Sequence, residues 1–390
     1  MTTIIVSGAL ANKPHNGGEA WVRLNWLLGL RQLGFQIYFV EQIDRHACLN
    51  AAGEVTSFAE SLNLAYFKAV MAQFGLSDVA TLLYAEGEET QGLTYPELLD
   101  LAAEADALIN ISGHLVHEPL LRLIRCKVYI DIDPGFTQFW YASGVTGARL
   151  AGHDFYFTIG ENIGTPLCSI PTSDIAWRHT RQPVVLDEWP ICLLSPAEAP
   201  LCFTTIASWR GPYGPVEYRG RTYGLKVHEF RKFMALPGQT SGRFELALAI
   251  HPTETRDLHL LHQHGWHLVD PQRVAADPYH FRHYVQRSHA EFSVAQGIYV
   301  DTASGWFSDR TVRYLASGKP ALVQETGFSR HLPVGEGLLS FRTLEEAIQG
   351  AEQIGREYDR HCQAARALAV AYFDSDRVLR PLLEEIGVGA

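Results

Sequence analysis

Residues 304–327 constrain the fold most, because they pass without a break from a polar loop into a short helix, a Gly318-Lys319-Pro320 turn and an apolar strand, Ala321–Gln324. A strand that is apolar on both faces must be covered on both, and the helix leading into it supplies one of the covering layers. Parallel sheets between helices are therefore expected. Ser308 or Asp309 caps the helix, Arg310 and Arg313 bring positive charge to its first turns, and the free N–H groups of a helix start attract anions. The stretch predicts a cradle for a phosphate-bearing ligand.

The same alternation recurs along the chain. A strand over 3–7 leads into a polar, Gly-rich loop over 8–18 and a helix over about 19–33, which Gly34 terminates before a second strand at 35–40. Further strands are expected at 107–111, 128–132 and 155–159, with helices at 58–73 and 95–104 between them. Pro183, Pro190, Pro196 and Pro200 then punctuate a segment that suits an interdomain crossing. A second series follows, with strands at 202–207, 244–250, 267–269 and 298–300 and helices near 225–234 and 278–288, ending in the cradle. Helical patterns fill about 344–354, 358–372 and 376–386. The predicted organisation is an α/β chain of two Rossmann-like domains, 1–185 and 200–365, with 366–390 packing back on the first.

With 390 residues, 47% of them hydrophobic, the chain can bury two cores and has no disordered composition. The net charge of −11 predicts neither a nucleic-acid nor an anionic-membrane partner, and so favours small-molecule ligands. Six scattered cysteines form no CxxC pair and are expected to be reduced. The first residues lack a basic, apolar leader and no run is long enough to span a membrane, so a cytoplasmic protein is expected. Composition leaves the oligomeric state open.

Three places carry a resemblance to glycosyltransferases of the GT-B architecture, two Rossmann-like domains facing a cleft. Asn16-Gly17-Gly18-Glu19-Ala20 is similar to the Gly-Gly loop that these enzymes point at the donor diphosphate and sugar. Ala207-Ser208-Trp209-Arg210 with Gly224-Leu225-Lys226 lies where the family supplies basic residues to the donor phosphates. Ala316-Ser317-Gly318-Lys319-Pro320 resembles the A-x-G-x-P segment beside the family's donor site. Many retaining members carry two glutamates eight positions apart here. The corresponding positions in this chain are Gly305 and Arg313, so stereochemistry is not carried over.

The resemblance implies metal-independent transfer of a hexose from a nucleotide diphosphate sugar, with a UDP sugar the expected co-substrate, no tightly bound cofactor, and a small-molecule or glycan hydroxyl as acceptor. Gly17, Gly18, Ser208, Arg210, Lys226, Val274, Ser304, Ser308, Asp309, Arg310 and Thr311 are the expected donor contacts, with Arg313 completing a diphosphate clamp. His15, as a general base near neutral pH, and His114, where retaining members place a histidine against the donor sugar, are the catalytic candidates together with Asp133. Phe136, Phe139 and Trp140 are expected to stack on the acceptor. Asp131 and Asp133 also form an Asp-x-Asp pair, the metal-binding signature of the other major glycosyltransferase architecture. Alternatives are a nucleotide-sugar epimerase on the same plan, or a sugar-nucleotide-binding protein without turnover. Glu41, about 20 residues past the glycines, resembles a ribose-binding acid, but no GxGxxG precedes it.

Overall fold

The computed structural model describes residues 2–145, 149–194, 201–211 and 213–389; Pro196 and Pro200 lie outside them. The first sheet holds eight strands: β1 (Thr3–Ser7), β2 (Gln36–Ile43), β3 (Ala80–Tyr84), β4 (Glu89–Gln91), β5 (Ala107–Ile111), β6 (Lys127–Asp131), β7 (Phe155–Thr158) and β8 (Trp177–His179). Their order is β4-β3-β2-β1-β5-β6-β7-β8, parallel except for the β3–β4 edge pair. The second domain carries β9 (Cys202–Ser208), a hairpin of β10 (Val216–Tyr218) and β11 (Arg221–Tyr223), then β12 (Arg243–Ala249), β13 (His267–Val269), β14 (Ala290–Ser293), β15 (Ala321–Gln324) and β16 (Leu338–Phe341). Its sheet is all parallel, in the order β13-β12-β9-β14-β15-β16.

The central strands of both sheets are buried on both faces, which is why β5 and β15 are mostly apolar with every residue buried. In each sheet the strand order reverses beside the first strand, between β1 and β5 and between β9 and β14. Loops leaving neighbouring strands on opposite sides of such a point open a crevice at the strands' C-terminal ends. The two crevices face each other.

One predicted strand is corrected. Residues 298–300 lie in the helix Gly297–Asp301, and the central strand is Ala290–Ser293, whose Glu291 and Ser293 masked its apolar pattern. Those polar groups are buried because Arg310 reaches down from the cradle helix to bond both. At the C-terminal end, the helix Tyr358–Tyr372 packs on the cradle helix, and Ser375–Glu385 returns to the first domain's helix Gly17–Gln32. Leu379 and Ser375 sit against Gly29 there, and Val184 bridges to Asp374.

Candidate active site

The facing crevices merge into a cleft with a cavity of about 420 Å³. On the second-domain wall, the helix Asp309–Ala316 starts at the cleft with Ser308 Oγ accepting from the Arg310 N–H (3.3 Å). Arg313 lies almost wholly buried along it. One of its nitrogens pairs with Asp309 (2.7 Å), its guanidinium covers the Phe281 ring at 5.2 Å, and its Nε and Nη1 have no hydrogen-bond partner among the described residues. Lys226 is held by its backbone, whose N–H donates to Gln296 Oε1 (2.6 Å), while its side chain lines the cavity. Burial, reinforced by the charge of Arg310, brings its pKa down to about 7. Lys226 and Arg313, which sits in the last turn of the cradle helix, thus line the same cavity.

Arg310, expected as the principal phosphate ligand, is otherwise employed. Its Nε donates to Glu291 (2.6 Å), its Nη1 to the Ile206 carbonyl (2.8 Å) and its Nη2 to Ser293 Oγ (2.7 Å). It neutralises Glu291, a carboxylate with no exposed surface. Ser208 and Asp309 line the cleft as expected, but Arg210 points away and pairs with Glu254 in a neighbouring groove. Ser304 is fully buried, its Oγ bonding Tyr299 O and the Trp306 N–H, and does not line the cleft. Thr311 is buried too, its hydroxyl without a described partner. Val274 ends the short helix Pro271–Val274, whose Pro271 and Gln272 reach the cleft instead.

On the first-domain wall, His15, Gly18, Glu19 and Asp133 line the cavity. His15 is exposed, with φ of 57°. Gly17 is required for a reason the sequence did not disclose. Its N–H donates to Ala275 O of the second domain (2.8 Å), and a Cβ there would overlap the backbone of Asp277. The glycine lets two backbones, rather than a backbone and a phosphate, come together. Gly305 (φ 77°) serves the other seam, lying against the backbone of Glu161 and Asn162. Asn162 fastens that seam by donating to the carbonyls of Ala303 (2.8 Å) and Gly327 (3.3 Å).

Asp133 accepts from the Tyr299 hydroxyl of the opposite domain (3.1 Å), and burial raises its pKa against the opposing pull of Lys13. Asp131 does not share its surroundings. It ends β6 fully buried, bonded by Thr158 Oγ1 and Gln138 Nε2 (both 2.7 Å), and burial pushes it up to about 6. The two carboxylates are thus split between core and cleft, contrary to the expected paired arrangement. His114 is held neutral, its pKa lowered to about 3 by burial and by the nearby Arg23 and Lys13 charges.

Of the aromatic candidates, Phe139 has no exposed surface and packs between Tyr218 and Tyr223 of the hairpin, and Phe136 is nearly as buried. They are core, because the hairpin closes over them. Trp140 remains partly open beside Tyr213, at a ring separation of 4.8 Å. Glu41 is buried, and its carboxylate accepts from the Leu10, Ala11 and Asn12 N–H groups at 2.8–2.9 Å and so shapes the loop after β1.

No family model and no curated protein matches the sequence. Solved structures do. An alpha-glucosyltransferase in complex with UDP and a 13-mer DNA superposes with a TM-score of 0.60 at 12% identity, over 99% of both chains. HepE of Anabaena in complex with UDP-glucose gives 0.60 at 10%, over 99% of this chain and all of that one. Sucrose-phosphate synthase from Thermosynechococcus elongatus gives 0.56 at 10%, over 99% of both. The chain has the GT-B fold. The GT-B assignment confirms the architecture expected from the resemblance. It also overturns the expectation of no nucleic-acid partner, since an alpha-glucosyltransferase of this fold is seen bound to DNA. Net charge alone therefore does not decide the acceptor class on this scaffold. No helix among the described residues is long and apolar enough to cross a membrane.

Proposed function

We propose that this GT-B chain transfers a hexose from a nucleotide diphosphate sugar, with a UDP sugar first among the candidates, to an acceptor hydroxyl without a metal ion. The observation that carries the reading is the lining of the cleft, which brings Lys226 and Arg313, the latter with two nitrogens unpartnered among the described residues, to the same cavity as Asp309 of the cradle helix and Asp133 of the opposite domain. UDP or UDP-glucose in the alpha-glucosyltransferase and HepE structures supports the choice of donor.

In the reaction, the bond between the anomeric carbon and the diphosphate oxygen breaks, its electron pair leaving with the nucleoside diphosphate. Lys226, Arg313 and the helix N–H groups stabilise that charge. A bond forms from the acceptor oxygen to the anomeric carbon, and Asp133 takes the acceptor's proton. Its raised pKa suits it to this better than an ordinary surface carboxylate. His114, being neutral, offers a hydrogen bond to a sugar hydroxyl without adding charge. Closure of the cleft over Trp140 and Tyr213 excludes water and favours transfer over hydrolysis. We place the reaction in the cytoplasm, where the six free thiols are stable.

The test is donor binding by calorimetry in EDTA, with UDP-glucose and its GDP and dTDP counterparts, on wild type and Arg313→Met. Base-selective binding that weakens at least tenfold in the variant is expected. Absence of binding by every nucleotide sugar, or binding indifferent to Arg313, overturns the reading.

A further inference from the structure

The acceptor half of the cleft holds more positive charge than an uncharged hydroxyl acceptor needs. Lys13 Nζ lies 2.7 Å from Glu19 Oε1, and Arg23 pairs with the same carboxylate. Arg23 has no exposed surface, and its Nε and Nη2 find no partner among the described residues. One carboxylate thus serves two cations, and one full charge is left over. A third cation, the exposed Arg149, reaches His114 Nδ1 at 3.4 Å.

These groups share one space. The charges of Lys13, Glu19 and Arg149 all act on both His114 and the Tyr213 hydroxyl, and Asp133 acts on Tyr213 too. The backbone around that space is held in a costly conformation, with positive φ at three non-glycine residues, His15 (57°), Ser112 (55°) and Arg149 (50°). Gly113 is pressed so close to Arg149 that a Cβ there would meet its carbonyl oxygen at 2.6 Å. Strain of this kind persists where surrounding structure fixes side chains in place for a task. Here the fixed side chains are Arg149 and His114. Counting Asp133 and Glu19 against Lys13, Arg23 and Arg149, these groups carry one positive charge in excess.

We propose that the acceptor bears an anionic group, a phosphate or carboxylate, which Lys13 and Arg149 bind so that a neighbouring hydroxyl meets Asp133. This rests on the glycosyltransferase reading for the hydroxyl's role but not for the anion site itself. Arg23 acts behind Lys13, holding Glu19 so that the lysine charge is not fully cancelled. Arg149 closes the anion from the side of the Ser112-Gly113-His114 turn, and Tyr213 with Trp140 covers the acceptor's apolar face.

The experiment is calorimetric titration of the full chain, saturated with UDP to fill the donor site, with glucose 6-phosphate, glucuronate, glucose and a short DNA oligonucleotide. Wild type, Lys13→Met and Arg149→Met are compared, with a thermal melt of each to show that it is folded. At least one anionic probe is expected to bind ten times or more tighter than glucose, and to lose at least tenfold in either variant. The small phosphate, the carboxylate and the nucleic-acid phosphodiester are separated by which probe shows this. No anionic probe binding better than glucose, or a preference that survives both substitutions, overturns the proposal. If UDP itself does not bind, the donor reading fails, and the same titrations without UDP still decide the anion site by the same two criteria.

Discussion

Lys226 makes donor affinity depend on pH in a way that can be worked out in sign and size. In the free cleft, burial and the neighbouring Arg310 hold its pKa at about 7 rather than 10.5. A diphosphate beside the amine favours its charged form and raises the pKa again, so donor binding draws a proton onto Lys226 wherever the free amine is neutral. Below pH 7 the free lysine is already charged, and affinity is flat. Above pH 7, Kd rises by up to a factor of ten per pH unit until the bound lysine titrates. Because the free lysine is already half neutral at pH 7, the loss between pH 7 and 8.5 is up to about 16-fold, or about 1.6 kcal/mol at 1.36 kcal/mol per tenfold. UDP-glucose is the probe to use, since its sugar-esterified diphosphate has no second phosphate ionisation near neutrality. Calorimetry at pH 6, 7, 8 and 8.5, repeated in buffers of different ionisation enthalpy, reads both the affinity and the proton taken up. Lys226→Met is expected to bind about 1.5–3 kcal/mol more weakly at pH 6 and to show no slope above pH 7. A flat wild-type profile with no proton uptake would refute the assignment of Lys226 to the diphosphate.

The other expectations separate support from chemistry. Arg310→Ala leaves Glu291 charged, buried and alone, and should cost about 3–5 kcal/mol in a denaturant melt; a change below 1 kcal/mol would show that the pair is not holding the cradle helix to β14. Asp133→Asn should lower turnover by about two to four orders of magnitude while UDP-glucose affinity stays within about threefold, read by UDP release beside calorimetry; unaltered turnover would remove Asp133 as the base. Gly17→Ala places a methyl group against the Asp277 backbone, so the domains must part along that seam. Turnover should fall, and the radius of gyration from small-angle scattering should rise, whereas an unchanged radius would show that the seam can absorb a Cβ.

The outline of the fold was legible because its signals are local. β5 and β15 are apolar on both faces, Gly34 ends the first helix with φ of 90°, and the tail helix Tyr358–Tyr372 was read to the residue. β14 was missed for the opposite reason. Its Glu291 and Ser293 look like surface residues until Arg310 arrives from 19 and 17 positions away to bond them. The same arginine shows what the sequence hides in the site, since a cation at a helix start reads as a phosphate ligand while its buried carboxylate is invisible; Arg310 both lines the cleft and pairs with Glu291. Arg313 was the subtler case. It stands where the resemblance expects a glutamate, and only the fold shows that it lines the cleft, buried, with two nitrogens unpartnered among the described residues.

The groups that make the cleft specific come from partners far apart in sequence. Tyr299 donates to Asp133 across 166 positions, and Asn162 reaches Gly327 across 165. Neither residue belongs to a motif, because each is defined by the opposite domain rather than by its own neighbours. This has a mechanical consequence. Asp133 is bonded to Tyr299, and Gly17 to Ala275, only while the domains are together, so on the proposed mechanism one closure both sets Asp133 as the base and excludes water. Parting the domains exposes Asp133 to solvent and removes the burial that raises its pKa. On the proposed mechanism an open chain therefore has a weaker base as well as a wetter site, and coupling both to closure would disfavour hydrolysis of the donor before an acceptor is bound.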